Sequence, residues 1–118
     1  MPSTSSPRFP DSMQDVYSYI DSRRETWLHE LFDLIAQPSI STTGEGMAES
    51  VTLLSQLLGS SGLEVKRFDS PGEPFLYAEM KSPAAKRTVL VYGHYDVQPP
   101  DPVELWTSPP FKPIVRDS

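Results

Sequence analysis

Apolar residues between positions 13 and 35 recur at three- and four-residue intervals, which is the spacing of an amphipathic helix. Ser12 is a suitable N-cap, and Asp15 follows it in the capping-box position, where Glu or Gln is more usual. Pro38 disfavours helical backbone at Gln37. The pattern therefore predicts a first helix that begins at Ser12 and ends at Gln37 or just before it.

A polar loop over residues 38–46 separates this helix from a second apolar stripe over residues 47–58. The stripe again has helical spacing. Gly59 or Gly62 is expected to end the second helix, because glycine accepts the left-handed backbone conformation that helix C-termini often need.

Three short runs with high β-propensity follow, over residues 63–68, 75–80 and 88–92. The third, TVLVY, is apolar on both faces and predicts a central strand that is covered from both sides. Residues 99–118 contain six prolines and predict an extended tail, because proline cannot donate to a sheet ladder. We therefore expect an α/β fold, in which two helices pack on a mixed sheet.

The length and composition predict one soluble domain. The chain has 118 residues, enough for one domain. Residues 1–11 are rich in serine and proline and are expected to be a disordered leader, with the domain over residues 12–118. No apolar run is long enough for a membrane span, and the amino terminus has no apolar signal segment. These features predict a cytoplasmic protein that does not bind membranes.

Charge and residue counts exclude several kinds of site. The net charge is −6 and the isoelectric point is near 4.7, which argues against a nucleic-acid partner. The absence of cysteine excludes disulfides, thiolate metal sites and a cysteine nucleophile. With only two histidines, a metal site must depend mainly on carboxylates.

The candidate chemistry lies directly after the third predicted strand, where His94 and Asp96 follow Gly93. Gly93 is expected to let the backbone approach another group closely. Residues two apart on extended backbone share a face, so Asp96 should lie near the imidazole of His94. A carboxylate that accepts one ring N–H leaves the other nitrogen free for a metal. The pattern thus indicates a metal-binding histidine with an orienting aspartate.

An ordinary explanation stands beside this one: a turn histidine next to a solvated aspartate. One imidazole is also far short of the roughly four donors of a zinc site. The other histidine, His29, has Glu25 and Asp33 one turn away on each side and is expected to lie on a solvated helix face. Trp27 and Phe32 are expected to be core residues.

Two segments, GHYDVQPPDP and, two residues later, LWTSPPFKP, resemble the first metal motif of the co-catalytic zinc metallopeptidases, and most closely the dipeptidase branch. That family includes the carnosine dipeptidases, the cytosolic non-specific dipeptidase and aminoacylase. The resemblance covers residues 13–117, and residues 90–113 are its specific part. It implies that the chain is the N-terminal portion of a zinc-peptidase catalytic domain.

The resemblance also implies an activity and residue roles. Family members cleave dipeptides or short peptides with a metal-activated water, use two divalent cations (zinc, or alternatively manganese), and form homodimers. His94 would be a zinc ligand and Asp96 its catalytic orienting partner. The family's bridging aspartate in a Gly-Arg-Gly-x-x-Asp motif, its general-base glutamate and its later ligands are not found in the 118 residues.

These missing residues leave a second hypothesis open. The chain would then be a catalytically inactive truncated fragment that acts at most as a binding or interaction module. On either hypothesis we expect the isolated 118 residues to lack turnover and to bind metal weakly at best. In the whole domain, later segments would flank and cover the TVLVY strand, so we also expect the isolated chain to expose an apolar sheet face and edge, which favours self-association.

Overall fold

A computed structural model describes residues 12–116. The predicted leader, residues 1–11, lies outside this range. The chain divides into two units, one ending at Leu31 and the other beginning at Phe32, and each is described by itself. The helices, strands and 3-10 turn are α1 (Met13–Ala36), α2 (Met47–Ser60), β1 (Glu64–Phe68), β2 (Phe75–Glu79) and η1 (Val103–Leu105).

The start of α1 confirms the predicted capping box. One carboxylate oxygen of Asp15 accepts hydrogen bonds of 3.0 Å from both the backbone N–H and the hydroxyl of Ser12. The backbone N–H of Asp15 donates in return to the Ser12 hydroxyl oxygen at 3.3 Å. Aspartate therefore replaces the usual glutamate in this motif. The helix ends at Ala36, as the proline two residues later predicted.

The apolar stripe of α1 is less buried than we expected. No residue of the helix is buried, Phe32 is half-buried, and Trp27 is exposed and meets Tyr19 edge to face at a centroid distance of 5.9 Å. The prediction that Trp27 and Phe32 are core residues is therefore wrong. An amphipathic helix buries its stripe only where another apolar surface lies against it, which the periodicity alone does not establish.

The end of α2 shows why glycine is needed there. Gly62 has a φ of 86°, in the left-handed region, and its N–H donates to the carbonyl of Gly59 at 3.0 Å. The N–H of Leu63 donates to the carbonyl of Leu58 at 3.2 Å. These two bonds form a Schellman motif. Of the two predicted candidates, Gly62 is thus the residue that adopts the terminating conformation.

β1 and β2 form an antiparallel hairpin in which Val65 pairs with Ala78. Paired residues share a face of the sheet, and Val65, Leu76 and Ala78 are the half-buried positions on one face. Both strands contact α2. The buried hydrophobic residues of the described part of the chain are Ile40, Met47 and Val51. The core therefore lies at the start of α2 and the loop before it.

The α/β class is confirmed, but the third strand is not formed. The sheet in residues 12–116 has two antiparallel strands, and residues 88–92 belong to neither. Val89, Leu90, Val91 and Tyr92 are 85–90% exposed. The prediction of a covered central strand in a mixed sheet is therefore wrong for this structure. β-Propensity favours extended backbone, whereas a strand also needs a neighbouring strand for its N–H and C=O groups. None of the described helices is long and apolar enough to cross a membrane.

Candidate metal centre

The loop between α1 and α2 is held by its own backbone. Ile40 N–H donates to the carbonyl of Glu45 at 2.9 Å, which closes residues 40–45 into a turn. Gly46 has a φ of 71°, and a Cβ atom there would fall on the carbonyl oxygen of Pro38. The side-chain amide of Gln37 donates to that same carbonyl at 2.9 Å. Glycine is therefore required at position 46, and the loop is closely packed there.

This loop anchors the segment that follows the exposed residues 88–92. Val97 N–H donates to the carbonyl of Ser39 at 2.9 Å, and Ile40 and Val97 form a parallel bridge. Ser39 and Ile40 are buried, at 5% and 4% exposure. The two residues of the candidate motif therefore take their position from a loop that lies more than fifty residues earlier in the chain.

His94 and Asp96 meet as predicted. Nδ1 of His94 lies 2.9 Å from the backbone carbonyl oxygen of Asp96 and 3.1 Å from its Oδ1. Both partners only accept hydrogen bonds when the carboxyl is ionised, so the ring proton must be on Nδ1. In the neutral imidazole this leaves a lone pair on Nε2. The His94 side chain is 76% exposed, so Nε2 is available to a ligand.

The carboxylate of Asp96 is held at both of its oxygens. Its Oδ2 accepts a hydrogen bond of 2.7 Å from the hydroxyl of Ser41, while its Oδ1 faces the imidazole. The hydrogen bond from Ser41 and then that from His94 lower the pKa of Asp96, against the opposing effect of its partial desolvation. Asp96 is therefore a carboxylate at neutral pH and accepts from both neighbours.

Tyr95, between the two site residues, is fixed to the connection before β2. Its hydroxyl donates to the carbonyl of Pro74 at 2.8 Å. Burial, followed by the negative charges of Glu73 and Asp96, raises the pKa of Tyr95. The phenol is therefore neutral in the ordinary pH range, and it links the site segment to the hairpin.

His94 and Asp96 border a cleft of about 590 Å³. Its walls are mainly apolar and come from the end of α1, from α2 and from the proline-rich segment. Trp106 lies in one wall, and its indole N–H donates to the carbonyl of Pro100 at 2.8 Å. The residues with large apolar side chains that line the cleft are Leu34, Ile35, Leu54, Tyr95, Val97, Trp106 and Phe111.

Sequence reasoning located His94 and Asp96 but misjudged their surroundings. A Cβ atom added at Gly93 meets nothing within 4 Å, so the expected close approach of the backbone there is wrong. Gly93 follows the exposed residues 88–92 and has no neighbour that would require glycine. The contact of Ser41 with Asp96 was missed, because a serine 55 positions earlier carries no signal of its own beyond its place in a short polar loop.

The described residues could supply one ligand of a metal site, together with the group that supports it. Nε2 of His94 has the lone pair, the exposure and the supporting carboxylate of a metal ligand. Residues 12–116 contain no group of three or more His, Asp or Glu side chains placed to hold one ion together. At His94 the described residues thus fit a metal with a supporting group behind the ligand.

No family model matches the chain, but it is similar in sequence to known hydrolases. It is 37% identical over 94 residues to a succinyl-diaminopimelate desuccinylase of Acidovorax ebreus, covering 71% of this chain and 23% of that protein. It is 30% identical over 124 residues to the Cys-Gly metallodipeptidase DUG1 of Saccharomyces cerevisiae, covering 91% and 26%.

A solved structure, that of an M20 family metallo-carboxypeptidase from Sulfolobus solfataricus, matches with a TM-score of 0.71 and 37% identity. The match covers 76% of this chain and 21% of the carboxypeptidase. The chain therefore spans about a fifth to a quarter of the length of the relatives it matches. In sequence and fold the chain thus resembles one part of these hydrolases, among them the M20 family metallo-carboxypeptidase.

Proposed function

We propose that this chain contributes the first metal ligand of a metal-dependent hydrolase of the dipeptidase type, which cleaves dipeptides or short peptides. His94 is the ligand, through Nε2, and Asp96 orients its ring. The observation that carries the proposal is the pair of acceptors, both from Asp96, around Nδ1 of His94. They direct the proton to Nδ1 and leave Nε2 as the nitrogen that binds.

The residues of the chain have separate tasks in this proposal. A bound zinc or manganese ion supplies Lewis acidity and lowers the pKa of a water molecule. Asp96 holds the imidazole in one tautomer and, as an anion behind the ring, makes Nε2 more basic. The hydrogen bond from Ser41 supports the ionised form of Asp96. The second cation and the homodimer of the complete enzyme are part of the proposal.

The relatives support two kinds of amide substrate. The match to the Cys-Gly metallodipeptidase extends over 91% of this chain and supports a dipeptide. The desuccinylase match, at 37% identity, supports an N-succinyl amide as the second candidate. The two are separated by assaying Cys-Gly and N-succinyl-diaminopimelate side by side. A dipeptidase hydrolyses the first faster, and a desuccinylase the second.

Zinc binding tests the ligand role directly, and the chain offers a matched control because it has two histidines. Zn²⁺ is titrated into the purified chain while the ring C–H resonances of His29 and His94 are followed by NMR. We expect the His94 signals to respond first. His94→Ala should abolish this first response and His29→Ala should keep it. An unchanged zinc affinity in His94→Ala would disprove the ligand role.

Turnover separates the hydrolase from the binding module. The 118-residue chain is assayed on both substrates with zinc or manganese, and the same assay is run on any longer natural form that contains these residues. Activity of the longer form that is lost in His94→Ala supports the hydrolase. Full activity of that variant contradicts it, and measurable turnover by residues 1–118 alone eliminates the inactive-module hypothesis.

A further inference from the structure

Ser41 has an unusual position among the serine and threonine residues of the loop after α1. Its hydroxyl donates across 55 positions of sequence to Oδ2 of Asp96 at 2.7 Å. By contrast, the hydroxyl of Thr43 in the same loop bonds only locally, to the carbonyl of Ile40 at 3.4 Å and the N–H of Glu45 at 3.3 Å. The two hydroxyls therefore have different partners and different consequences.

The backbone makes the Ser41 contact a fixed one. Ile40 and Val97 form a parallel bridge, and each is next in sequence to one of the two bonded residues. The N–H of Val97 also donates to the carbonyl of Ser39 at 2.9 Å. Ser41 and Asp96 are thus brought together by main-chain bonds on either side, and the hydroxyl needs no rearrangement to reach the carboxylate.

The consequence for the imidazole follows from the two oxygens of Asp96. With Oδ2 bound by Ser41, rotation of the carboxylate about its Cβ–Cγ bond is restrained. Oδ1 then stays 3.1 Å from Nδ1 of His94. Without the hydroxyl, the half-exposed carboxylate is free to turn toward water. The ring then loses one of the two acceptors that hold its proton on Nδ1.

We propose that Ser41 is a positioning residue for His94, acting through Asp96 and fixing which ring nitrogen carries the proton. This proposal rests on the proposed function, because a fixed Nδ1–H tautomer is useful only if Nε2 of His94 binds a metal. Ser41 touches neither the metal nor the substrate in this scheme. Its effect is therefore a shift in tautomer and in metal affinity.

The first measurement uses the metal-free chain, which separates it from the question of metal binding. The imidazole nitrogen and carbon chemical shifts of His94 are recorded by NMR at a pH where the ring is neutral. Wild type should show mainly the Nδ1–H tautomer. Ser41→Ala should shift the population toward Nε2–H, which free histidine favours. Ser41→Thr keeps the hydroxyl and should restore the wild-type shifts.

Thr43→Val is the matched control, because it removes a hydroxyl from the same loop without touching Asp96. It should leave the His94 tautomer unchanged. An equal shift in Thr43→Val would overturn the proposal, since the effect would then come from the loop as a whole. Unchanged shifts in Ser41→Ala would also overturn it. Should Ser41→Ala fail to fold, Ser41→Thr against Ser41→Val gives the same comparison with nearly equal volumes.

The second measurement adds Zn²⁺ to the same variants. The affinity at His94 should fall about tenfold in Ser41→Ala, the low end of the effect of groups behind metal-ligating histidines. It should stay at the wild-type value in Ser41→Thr and Thr43→Val. If wild type shows no zinc response at His94, the proposed function fails. The tautomer measurement still decides the role of Ser41 in that case.

Discussion

Residues 47–79 and residues 88–92 have equally clear apolar patterns but different outcomes. In the first region, α2 packs on the β1–β2 hairpin, and Met47 and Val51 are buried. In the second, four consecutive apolar side chains are 85–90% exposed. The difference shows that an apolar pattern defines the preferred local backbone, whereas burial depends on whether a second surface is present.

The candidate metal centre depends on this difference. His94 follows the exposed region directly, yet its position comes from the bonds that Ser39, Ile40 and Ser41 make with residues 96 and 97. The site is thus anchored by the loop that leads into the buried core rather than by a paired strand in front of it.

The largest difference is expected for a charge introduced into each region. Val51 is 4% exposed and Val91 is 87% exposed. Val51→Asp should lower the free energy of unfolding by about 3 kcal/mol or more, because the carboxylate is desolvated without a partner. Val91→Asp should change it by no more than about 0.5 kcal/mol. Urea denaturation followed by circular dichroism measures both, and equal effects would contradict the comparison.

Two glycines give a smaller contrast of the same kind. Gly46→Ala places a Cβ against Pro38 at a φ of 71° and should cost roughly 2 kcal/mol of stability. Gly93→Ala meets nothing within 4 Å. It should be neutral or stabilise by about 0.5 kcal/mol through the unfolded state. The urea midpoints of the two variants decide this, and a destabilised Gly93→Ala would show that position 93 has a close neighbour after all.

The exposed region should also promote self-association of the purified chain. Residues 88–92 carry no charge and no proline, and such a segment presents unpaired N–H and C=O groups to a second copy. Sedimentation velocity should show the average mass rising with protein concentration. Val91→Lys should suppress this rise, because it puts a positive charge on each of two segments that would pair. A sharp monomer at all concentrations in wild type would contradict the prediction.

The sequence predicts local elements well because their causes are local. The capping box of Ser12 and Asp15, the left-handed Gly62 and the approach of Asp96 to His94 all depend on residues a few positions apart. The contact of Ser41 with Asp96 spans 55 positions and depends on the bridge between Ile40 and Val97, which the hydrophobic pattern of the sequence does not predict. The burial of an apolar stripe likewise depends on distant partners, which is why Trp27 and residues 88–92 were misjudged.

The smallest expected effect concerns the hairpin edge at acidic pH. A hydrogen bond from Lys81, followed by one from the hydroxyl of Tyr77, lowers the pKa of Glu79 below its value of 4.5 in model compounds. A carboxyl whose pKa is lower in the folded than in the unfolded state stabilises the fold above the unfolded-state pKa, and the stabilisation is lost as the pH falls through the folded-state value.

Stability should therefore decline as the pH falls from about 5, the range in which an unfolded glutamate begins to bind protons. Glu79→Gln should remove the part of this decline that comes from Glu79. At neutral pH the variant should be slightly less stable than wild type, because its contact with Lys81 is weakened. Glu104→Gln is the matched control, since Glu104 lies on the exposed turn η1. Urea midpoints at a series of pH values measure all three proteins. If the urea midpoints of Glu79→Gln and wild type change with pH in the same way, the charge of Glu79 does not stabilise the hairpin. The paired hairpin would then gain as little stability from this charge as the unpaired residues 88–92 gain from their apolar side chains.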